Sequence, residues 1–83
     1  MRPVVIYTLS GCPFCVRAKA LFDSKGAPYR EIDVSADHGE RGKVSGRTGH
    51  RTFPQIFIGD EFVGGCDEVH ALDRAGRLDP LLA

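Results

Sequence analysis

Short apolar runs alternate with amphipathic stretches in the first half of the chain, and this alternation predicts a mixed α/β protein. A continuous apolar run predicts a buried strand over roughly residues 3–8. A helix is predicted over roughly residues 13–25, because three side chains recur at the spacing of one helix face: Cys15, Ala18 and Phe22. Residues 29–34 are β-rich and predict a second strand. The three elements form a βαβ unit, whose two strands are expected to be parallel.

The middle of the chain predicts a short helix followed by a β-hairpin. Residues 37–47 suit a helix capped by Ser35 or Asp37, although their glycines leave an irregular loop as the alternative. Residues 55–58 and 61–63 are two β-rich runs, and the Gly-Asp dipeptide between them predicts a tight antiparallel hairpin.

The C-terminal part predicts a last helix and a docked tail. Asp67 is expected to cap this helix, and residues 78–82 are expected to form a short apolar tail that packs on the domain. The complete order, β-α-β-α-β-β-α, predicts an α/β fold with a four-stranded mixed sheet flanked by helices. No repeat or linker interrupts the sequence, so residues 1–83 are expected to form one domain.

The turn between the first strand and the first helix contains two cysteines, Cys12 and Cys15. Pro13 suits the first position of a helix, because its missing N–H would have no partner there. Cys12 is therefore expected at the helix N-terminus, where free N–H groups favour an anion such as a thiolate, the nucleophilic form of cysteine. Cys15 lies one helical turn further on, within reach of a disulfide with Cys12. This arrangement predicts a redox dithiol.

Two other interpretations of the cysteine pair are less consistent with the sequence. A structural disulfide that closes so small a ring would stabilise the fold by only about 2 kcal/mol. A zinc site requires about four ligands, and the remaining candidates are scattered along the chain: Cys66, His38, His50 and His70. The three histidines have no partner visible in the sequence and are expected at the surface.

Composition narrows the classes of partner. Lys plus Arg and Asp plus Glu number 11 each among 83 residues, so the formal net charge is zero. This balance gives no electrostatic reason to expect nucleic acid or an anionic membrane as a partner. No apolar run approaches the roughly 20 residues of a membrane span, and a signal peptide is not expected. With 3 cysteines a disulfide framework is not expected either, and the sequence predicts a cytoplasmic protein with reduced thiols.

Several motifs occur together at a characteristic spacing: Ile6-Tyr7-Thr8, Cys12-Pro13-Phe14-Cys15, Arg17-Ala18-Lys19, Thr52-Phe53-Pro54-Gln55-Ile56-Phe57-Ile58 and Gly64-Gly65-Cys66-Asp67. Over essentially its whole length the chain resembles the dithiol glutaredoxins of the thioredoxin superfamily. The combination of Cys-x-x-Cys with Thr-x-Pro before the hairpin and Gly-Gly-Cys-Asp after it carries most of the specificity. The resemblance implies a thioredoxin-like fold and a glutathione-dependent thiol–disulfide oxidoreductase that reduces protein disulfides and glutathione mixed disulfides.

The resemblance also implies roles for individual residues. Cys12 would be the attacking nucleophile and Cys15 the resolving thiol, with glutathione as co-substrate and no metal. A glutathione groove would be formed by eight residues: Phe14, Arg41, Thr52, Phe53, Pro54, Gly65, Cys66 and Asp67. Within it, the Thr-Phe-Pro segment would hold the tripeptide backbone next to a cis proline, and the Gly-Cys-Asp segment would hold the γ-glutamyl end.

Two of these residues have structural alternatives. Arg41 would meet the glycine carboxylate of glutathione, but it equally suits a solvated helix face. Cys66 could be glutathionylated or form an intermolecular disulfide, and the interpretation we favour is a small residue used for its backbone N–H.

The sequence departs from the family pattern at three positions near the cysteines. Leu9 stands where many relatives have a lysine, which predicts weaker attraction for glutathione. Phe53 replaces the more usual valine and is expected to narrow the groove. Phe14 keeps an aromatic surface but lacks the hydroxyl of the common tyrosine.

The sequence is also compatible with two other functions. One is a protein of similar fold that is reduced by thioredoxin reductase, against which the Gly-Gly-Cys-Asp segment argues. The other is a dimer that shares a [2Fe–2S] cluster through Cys12 and glutathione, against which Pro13 argues. The expected protein partners are disulfide-containing or glutathionylated proteins, with ribonucleotide reductase as one example, and a monomer is expected.

Overall fold

A computed structural model of the protein describes residues 1–83. In chain order its elements are β1 (Val4–Thr8), α1 (Pro13–Ser24), β2 (Tyr29–Asp33), α2 (His38–Thr48), β3 (Gln55–Ile58), β4 (Glu61–Gly64), α3 (Cys66–Arg74) and α4 (Leu78–Leu82). The strands form one sheet in the order β2-β1-β3-β4, in which β1 and β2 are parallel and the other neighbours are antiparallel. The predicted thioredoxin-like fold is confirmed. None of the helices has the length and apolar character needed to cross a membrane.

The side chains of the central strands alternate between two hydrophobic clusters, because successive residues of a strand point to opposite faces of the sheet. One cluster joins β1 and β3 to α1, α3 and α4, and its strand residues are Val4, Ile6, Ile56 and Ile58. The other cluster contains Tyr7 and Phe57 of the same strands together with Val44 of α2 and Phe53. Helices therefore cover both faces of the central strands, and β3 is buried at every position.

The glycine-rich stretch after β2 is helical, so the loop alternative is wrong. Asp37 caps α2, and its Oδ1 accepts a hydrogen bond from the backbone N–H of Glu40 at 3.0 Å. Gly49 ends the helix with φ of 76°, a left-handed conformation that glycine adopts at little cost. The two caps and the buried side chain of Val44 offset the low helix propensity of the glycines.

The start of α3 differs from the sequence prediction. Gly65 is the N-cap residue, and Asp67 lies inside the first turn instead of capping the helix. Glu68 Oε1 accepts a hydrogen bond from the backbone N–H of Gly65 at 2.6 Å, which satisfies the N-cap donor from the third helical position. The sequence reading overlooked this carboxylate and therefore placed the cap two residues too late.

The C-terminal tail docks on the protein as expected, but it does so as the additional helix α4. Leu78 and Leu82 are one helical turn apart and are both buried against the main cluster. Pro80 is tolerated because it lies in the first turn, where its missing N–H leaves no hydrogen bond unmade. Lys25 at the end of α1 pairs with Asp79 at 2.8 Å and holds α4 against the first helix.

A hydrogen-bonded carboxylate ties β1, β2 and α1 together. Thr8 is buried, and its hydroxyl donates to Glu31 Oε2 at 2.7 Å. Lys19 of α1 pairs with the same carboxylate oxygen at 3.1 Å. The hydroxyl of Thr8, and secondly the ammonium of Lys19, lower the pKa of Glu31. These contacts of Glu31 lie at the carboxyl end of β1, where the turn that leads to Cys12 begins.

Replacing Thr8 by valine should therefore destabilise the protein in a pH-dependent way. The loss of a partly buried hydrogen bond to a charged but solvent-exposed carboxylate is expected to cost about 1 kcal/mol of unfolding free energy at pH 7. Because the bond favours the ionised carboxylate, its contribution is present above the ordinary pKa of 4.5 and is lost as the pH falls. Urea unfolding between pH 3 and 7 measures it, with Thr8→Val in a Glu31→Ala background as the control. A loss of equal size at every pH would contradict the assignment.

Candidate active site

The turn between β1 and α1 places Cys12 at the N-terminus of the helix, as predicted. Cys12 is the N-cap residue with an extended backbone, and Pro13 occupies the first helical position. The Cys12 Sγ accepts a hydrogen bond from the backbone N–H of Cys15 at 3.2 Å. The sulfur thus takes the place of the oxygen acceptor of an ordinary N-cap. Negative charge on this sulfur is favoured by the free N–H groups and by the dipole of α1.

Hydrogen bonds from β2 and the segment after it hold the turn in position. The Ser10 hydroxyl donates to Asp33 Oδ2 at 2.9 Å, and the Ser10 backbone N–H donates to the Ser35 hydroxyl oxygen at 2.6 Å. The hydrogen bonds from Ser35, and then that from Ser10, lower the pKa of Asp33. Gly11 follows with φ of 70°, a left-handed conformation that residues other than glycine rarely adopt. The position of Cys12 is therefore fixed from both sides of the turn.

The two active-site thiols have different environments. Cys12 is partly exposed, whereas Cys15 is buried, with 2% of its surface accessible. Burial, followed by the hydrogen bond with Cys12, raises the pKa of Cys15 to about 12. A thiol that is buried and protonated is a poor nucleophile toward an external disulfide. An incoming disulfide therefore meets the Cys12 sulfur first, and Cys15 lies directly behind it.

All eight residues predicted to bind glutathione line one open groove of about 580 Å³. They are Phe14, Arg41, Thr52, Phe53, Pro54, Gly65, Cys66 and Asp67. The groove reaches the reactive sulfur, because Cys12 Sγ lies 3.7 Å from the backbone carbonyl oxygen of Phe53 and donates its thiol hydrogen to it. The structure thus brings the separated sequence segments together beside the dithiol.

One side of the groove is formed by backbone. The peptide bond between Phe53 and Pro54 is cis, as the resemblance implied. Gly65 approaches this segment closely, and a Cβ at that position would lie 3.1 Å from the carbonyl oxygen of Pro54 and 3.2 Å from Glu68 Oε1. A side chain at this position would require a shift of a few tenths of an ångström, so glycine suits the close approach of the N-cap of α3 to the Thr-Phe-Pro segment.

The groove lining contains charges of both signs, which come from different segments of the chain. Arg41 and Arg51 come from α2 and the following loop, whereas Asp67 and Glu68 come from the first turn of α3. The Arg41 guanidinium carbon lies 5.7 Å from the ring centroid of Phe53, in a cation–π contact. Neither arginine has a carboxylate partner within 4.0 Å, since the ion pairs of the protein involve only Lys19 and Lys25. A small ligand with separated positive and negative groups is complementary to this lining.

Sequence reasoning missed three polar residues of the lining: His50, Arg51 and Glu68. Gln55 holds the loop that carries the first two, because its buried amide donates to the His50 carbonyl oxygen at 2.8 Å. The only sequence signal was the position of Arg51 immediately before the Thr-Phe-Pro motif. The apolar side chain of Leu9 also lines the groove.

Cys66 and the histidines do not form a second reactive centre. Cys66 is buried, and burial raises the pKa of its thiol. His38 and His50 are exposed as expected, but His70 is partly buried, and its Nε2 lies inside the protein without a hydrogen-bond partner. No three His, Cys, Asp or Glu side chains come together in a geometry suited to a metal ion.

Comparison with known proteins agrees with this geometry. The sequence model of the family described as Glutaredoxin matches residues 4–63. A glutaredoxin of Pseudomonas aeruginosa is 49% identical over 83 residues, which cover 100% of this chain and 99% of the relative. The solution structure of a glutaredoxin from Brucella melitensis superimposes with a TM-score of 0.89 at 55% identity, covering 99% of this chain and 89% of the other.

The crystal structure of a buckwheat glutaredoxin–glutathione complex has a TM-score of 0.90 at 38% identity and covers 98% of this chain and 76% of the other. The family model covers both thiols and Pro54, and the nearly full-length matches also cover the start of α3. On this evidence the chain belongs to the glutaredoxin family of thiol–disulfide oxidoreductases, with Cys12 and Cys15 as its dithiol.

Proposed function

We propose that the protein reduces glutathione mixed disulfides and protein disulfides, with glutathione bound in the groove beside Cys12. This proposal rests on the difference in accessibility between the two thiols. Cys12 is accessible at a helix N-terminus, and Cys15 is shielded one turn behind it. A pair of this kind favours attack at one sulfur and resolution by the other.

With a glutathione mixed disulfide, Cys12 acts alone. Its thiolate attacks the glutathione sulfur, the new Sγ–S bond forms, and the substrate sulfur leaves as a thiolate that takes up a proton. A second glutathione thiolate then attacks the glutathione sulfur on Cys12. Oxidised glutathione leaves, and the Cys12 thiolate is regenerated at the N-terminus of α1, where it is favoured electrostatically.

With a protein disulfide, both thiols take part. Cys12 attacks one sulfur of the substrate and forms a mixed disulfide, while the other substrate sulfur leaves as a thiolate. Cys15 then loses its proton and attacks Cys12 Sγ, which releases the reduced substrate and forms the Cys12–Cys15 disulfide. The N–H of Cys15 already contacts this sulfur at 3.2 Å, so the second step requires little backbone movement. Two glutathione molecules reduce the pair again and leave as oxidised glutathione.

The groove supports a specific placement of glutathione. We assign the cation side, with Arg41 and Arg51, to the glycine carboxylate. The first turn of α3 is assigned to the γ-glutamyl end, because its free N–H groups suit a carboxylate and Asp67 suits the ammonium group. The Thr-Phe-Pro segment would pair with the tripeptide backbone, and Phe14 would border the cysteine. The buckwheat complex supports glutathione as the ligand of this type of groove.

The proposed protein partners are disulfide-containing or glutathionylated proteins, with ribonucleotide reductase as one example. The proposed compartment is the cytoplasm, where free thiols such as those of this chain are kept reduced. There, glutathione would supply the electrons for each turnover.

The first experiment is turnover of a small glutathione mixed disulfide coupled to glutathione, glutathione reductase and NADPH. Cys12→Ser should reduce activity to background, because serine cannot form the sulfur–sulfur bond. Cys15→Ser should retain most of the activity, because the mixed-disulfide route uses only Cys12, but it should lose reduction of a protein disulfide. Full activity in Cys12→Ser would overturn the proposal. Reduction of the wild type by thioredoxin reductase, without turnover by glutathione, would show that glutathione is not its electron donor.

The inequality of the thiols also predicts their order of alkylation. Iodoacetamide at pH 7 should label Cys12 in the folded, reduced protein and leave Cys15 and Cys66 unlabelled until denaturant is added, because only thiolates react and both pKa values are raised by burial. Peptide mass spectrometry at timed intervals measures the three rates. Labelling of Cys15 in the folded protein at its unfolded rate would contradict the shielding argument.

Charge removal on the cation side of the groove should weaken glutathione binding. Arg41→Ala and Arg51→Ala should each raise the KM for glutathione about fivefold, the effect of one partly solvated ion pair. Arg47→Ala is the matched control, because Arg47 is also on α2 and also stacks on a phenylalanine, with its guanidinium 5.1 Å from the Phe57 ring, yet does not line the groove. Equal changes in KM in Arg41→Ala and Arg47→Ala would refute the placement.

A further inference from the structure

The first half of α1 exposes apolar side chains next to the reactive sulfur. The exposed large hydrophobic residues of the protein are Met1, Phe14 and Val16, and the last two are accessible over 51% and 60% of their surface. Phe14 and Val16 follow Cys12 in the first two turns of α1. Their side chains face solvent, whereas those of Cys15, Ala18 and Phe22 on the same helix are buried. Phe14 and Val16 lie on the two flanks of the exposed side of the helix, and exposed apolar side chains beside a reactive atom indicate a contact surface.

These residues belong to a continuous surface, which we call the α1 face: Pro13, Phe14, Val16, Arg17 and Ala20, all of them exposed. Their spacing of three and four residues places them side by side along the outer side of the helix. The guanidinium carbon of Arg17 lies 5.9 Å from the centroid of the Phe14 ring. The α1 face is thus apolar with a single positive charge at its centre.

The charge of Arg17 has no partner within the protein. No carboxylate lies within 4.0 Å of it, because the ion pairs are those of Lys19 with Glu31 and of Lys25 with Asp73 and Asp79. Glu68, at the start of the neighbouring helix α3, is already hydrogen-bonded to the backbone N–H of Gly65. A negative group of a partner can therefore approach Arg17 without displacing an internal contact.

The α1 face and the glutathione groove meet at Phe14 but are otherwise separate surfaces. Phe14 lines the groove, whereas Val16 and Arg17 do not. In a glutathionylated protein, glutathione and the protein chain are joined through one disulfide. If glutathione fills the groove during attack by Cys12, the polypeptide on the other side of the disulfide must lie outside the groove. The α1 face is the exposed apolar surface next to the Cys12 sulfur.

We propose that the α1 face binds the polypeptide of a glutathionylated substrate and favours an acidic residue beside the modified cysteine. Arg17 would pair with this carboxylate, and Val16 would contact an apolar side chain of the same segment. The inference rests on the proposed function, since it assigns a second surface to the same reaction and determines which proteins are the preferred substrates.

The test compares three glutathionylated peptides that differ only in the residues on either side of the cysteine. These residues are Glu in the first peptide, Gln in the second and Lys in the third. Wild-type protein should show the highest kcat/KM for the Glu peptide and the lowest for the Lys peptide. Arg17→Glu should lower kcat/KM for the Glu peptide about tenfold and raise it for the Lys peptide, as a reversed charge contact predicts. Added salt should reduce the preference of the wild type, because the contact is solvent-exposed.

Two controls separate docking from general effects. Arg30→Glu makes the same change in net charge at an exposed position of β2, outside the α1 face, and should leave the order of the peptides unchanged. The mixed disulfide of glutathione with 2-mercaptoethanol has no polypeptide, so its turnover should be unchanged in Arg17→Glu. Val16→Ser should lower kcat/KM for all three peptides by a similar factor and spare the small disulfide.

The possible outcomes are distinct. Wild-type protein that reduces the small disulfide but treats the three peptides alike refutes the inference and leaves the proposed function intact. An equal drop for every substrate in Arg17→Glu also refutes it, because Arg17 would then act on Cys12 itself. Wild-type protein that turns over neither the peptides nor the small disulfide refutes the proposed function and this inference together.

Discussion

The hydrogen bond from the backbone N–H of Cys15 to the sulfur of Cys12 links the fold to the chemistry. It exists because α1 begins at Cys12, directly after β1 and one tight turn, and because proline at the next position needs no hydrogen-bond partner. The same contact fixes the separation of the two thiols and aims one of them outward. A shift of the helix start by one residue would point the sulfur away from the free N–H groups and remove the support for a thiolate.

The remainder of the protein holds this helix end against the groove. Thr8, Glu31 and Lys19 join β1, β2 and α1 immediately behind the turn. On the other side of the sulfur, the buried amide of Gln55 fixes the loop before the cis proline, with its Oε1 accepting from the Thr48 hydroxyl at 2.7 Å. The contacts of Thr8 and Gln55 are partly buried, whereas the pair of Lys19 and Glu31 is exposed to solvent. The dithiol lies at the carboxyl end of β1, where Cys15 belongs to one hydrophobic cluster and Cys12 packs against it.

Much of the fold followed from local pattern. The βαβ unit, the hairpin with glycine at its turn and the helix start at Cys12 each depend on residues close in the sequence. The errors arose where a distant or overlooked contact decides the outcome. The start of α3 depends on Glu68 reaching back to Gly65, and the tail becomes helical because Leu78 and Leu82 bury against other elements. Seven of the eight predicted groove residues lie in the sequence motifs, and Arg41 is the exception. His50 and Arg51 were missed because the position of their loop depends on the contact with Gln55, which no motif encodes.

The arrangement of charge explains how a protein with zero formal net charge can still select its ligands. Its acidic and basic residues balance overall, yet the ion pairs involve only lysines. Arg41 and Arg51 in the groove and Arg17 on the α1 face therefore keep guanidinium groups without a carboxylate partner. Leu9 adds no positive charge beside the groove, so in the proposed placement of glutathione the attraction of its glycine carboxylate depends on Arg41 and Arg51. Phe14 borders both the groove and the α1 face, because it lines the groove and its ring also contacts Arg17. If glutathione and the protein attached to it bind as proposed, the two surfaces that recognise them would therefore be adjacent but separable.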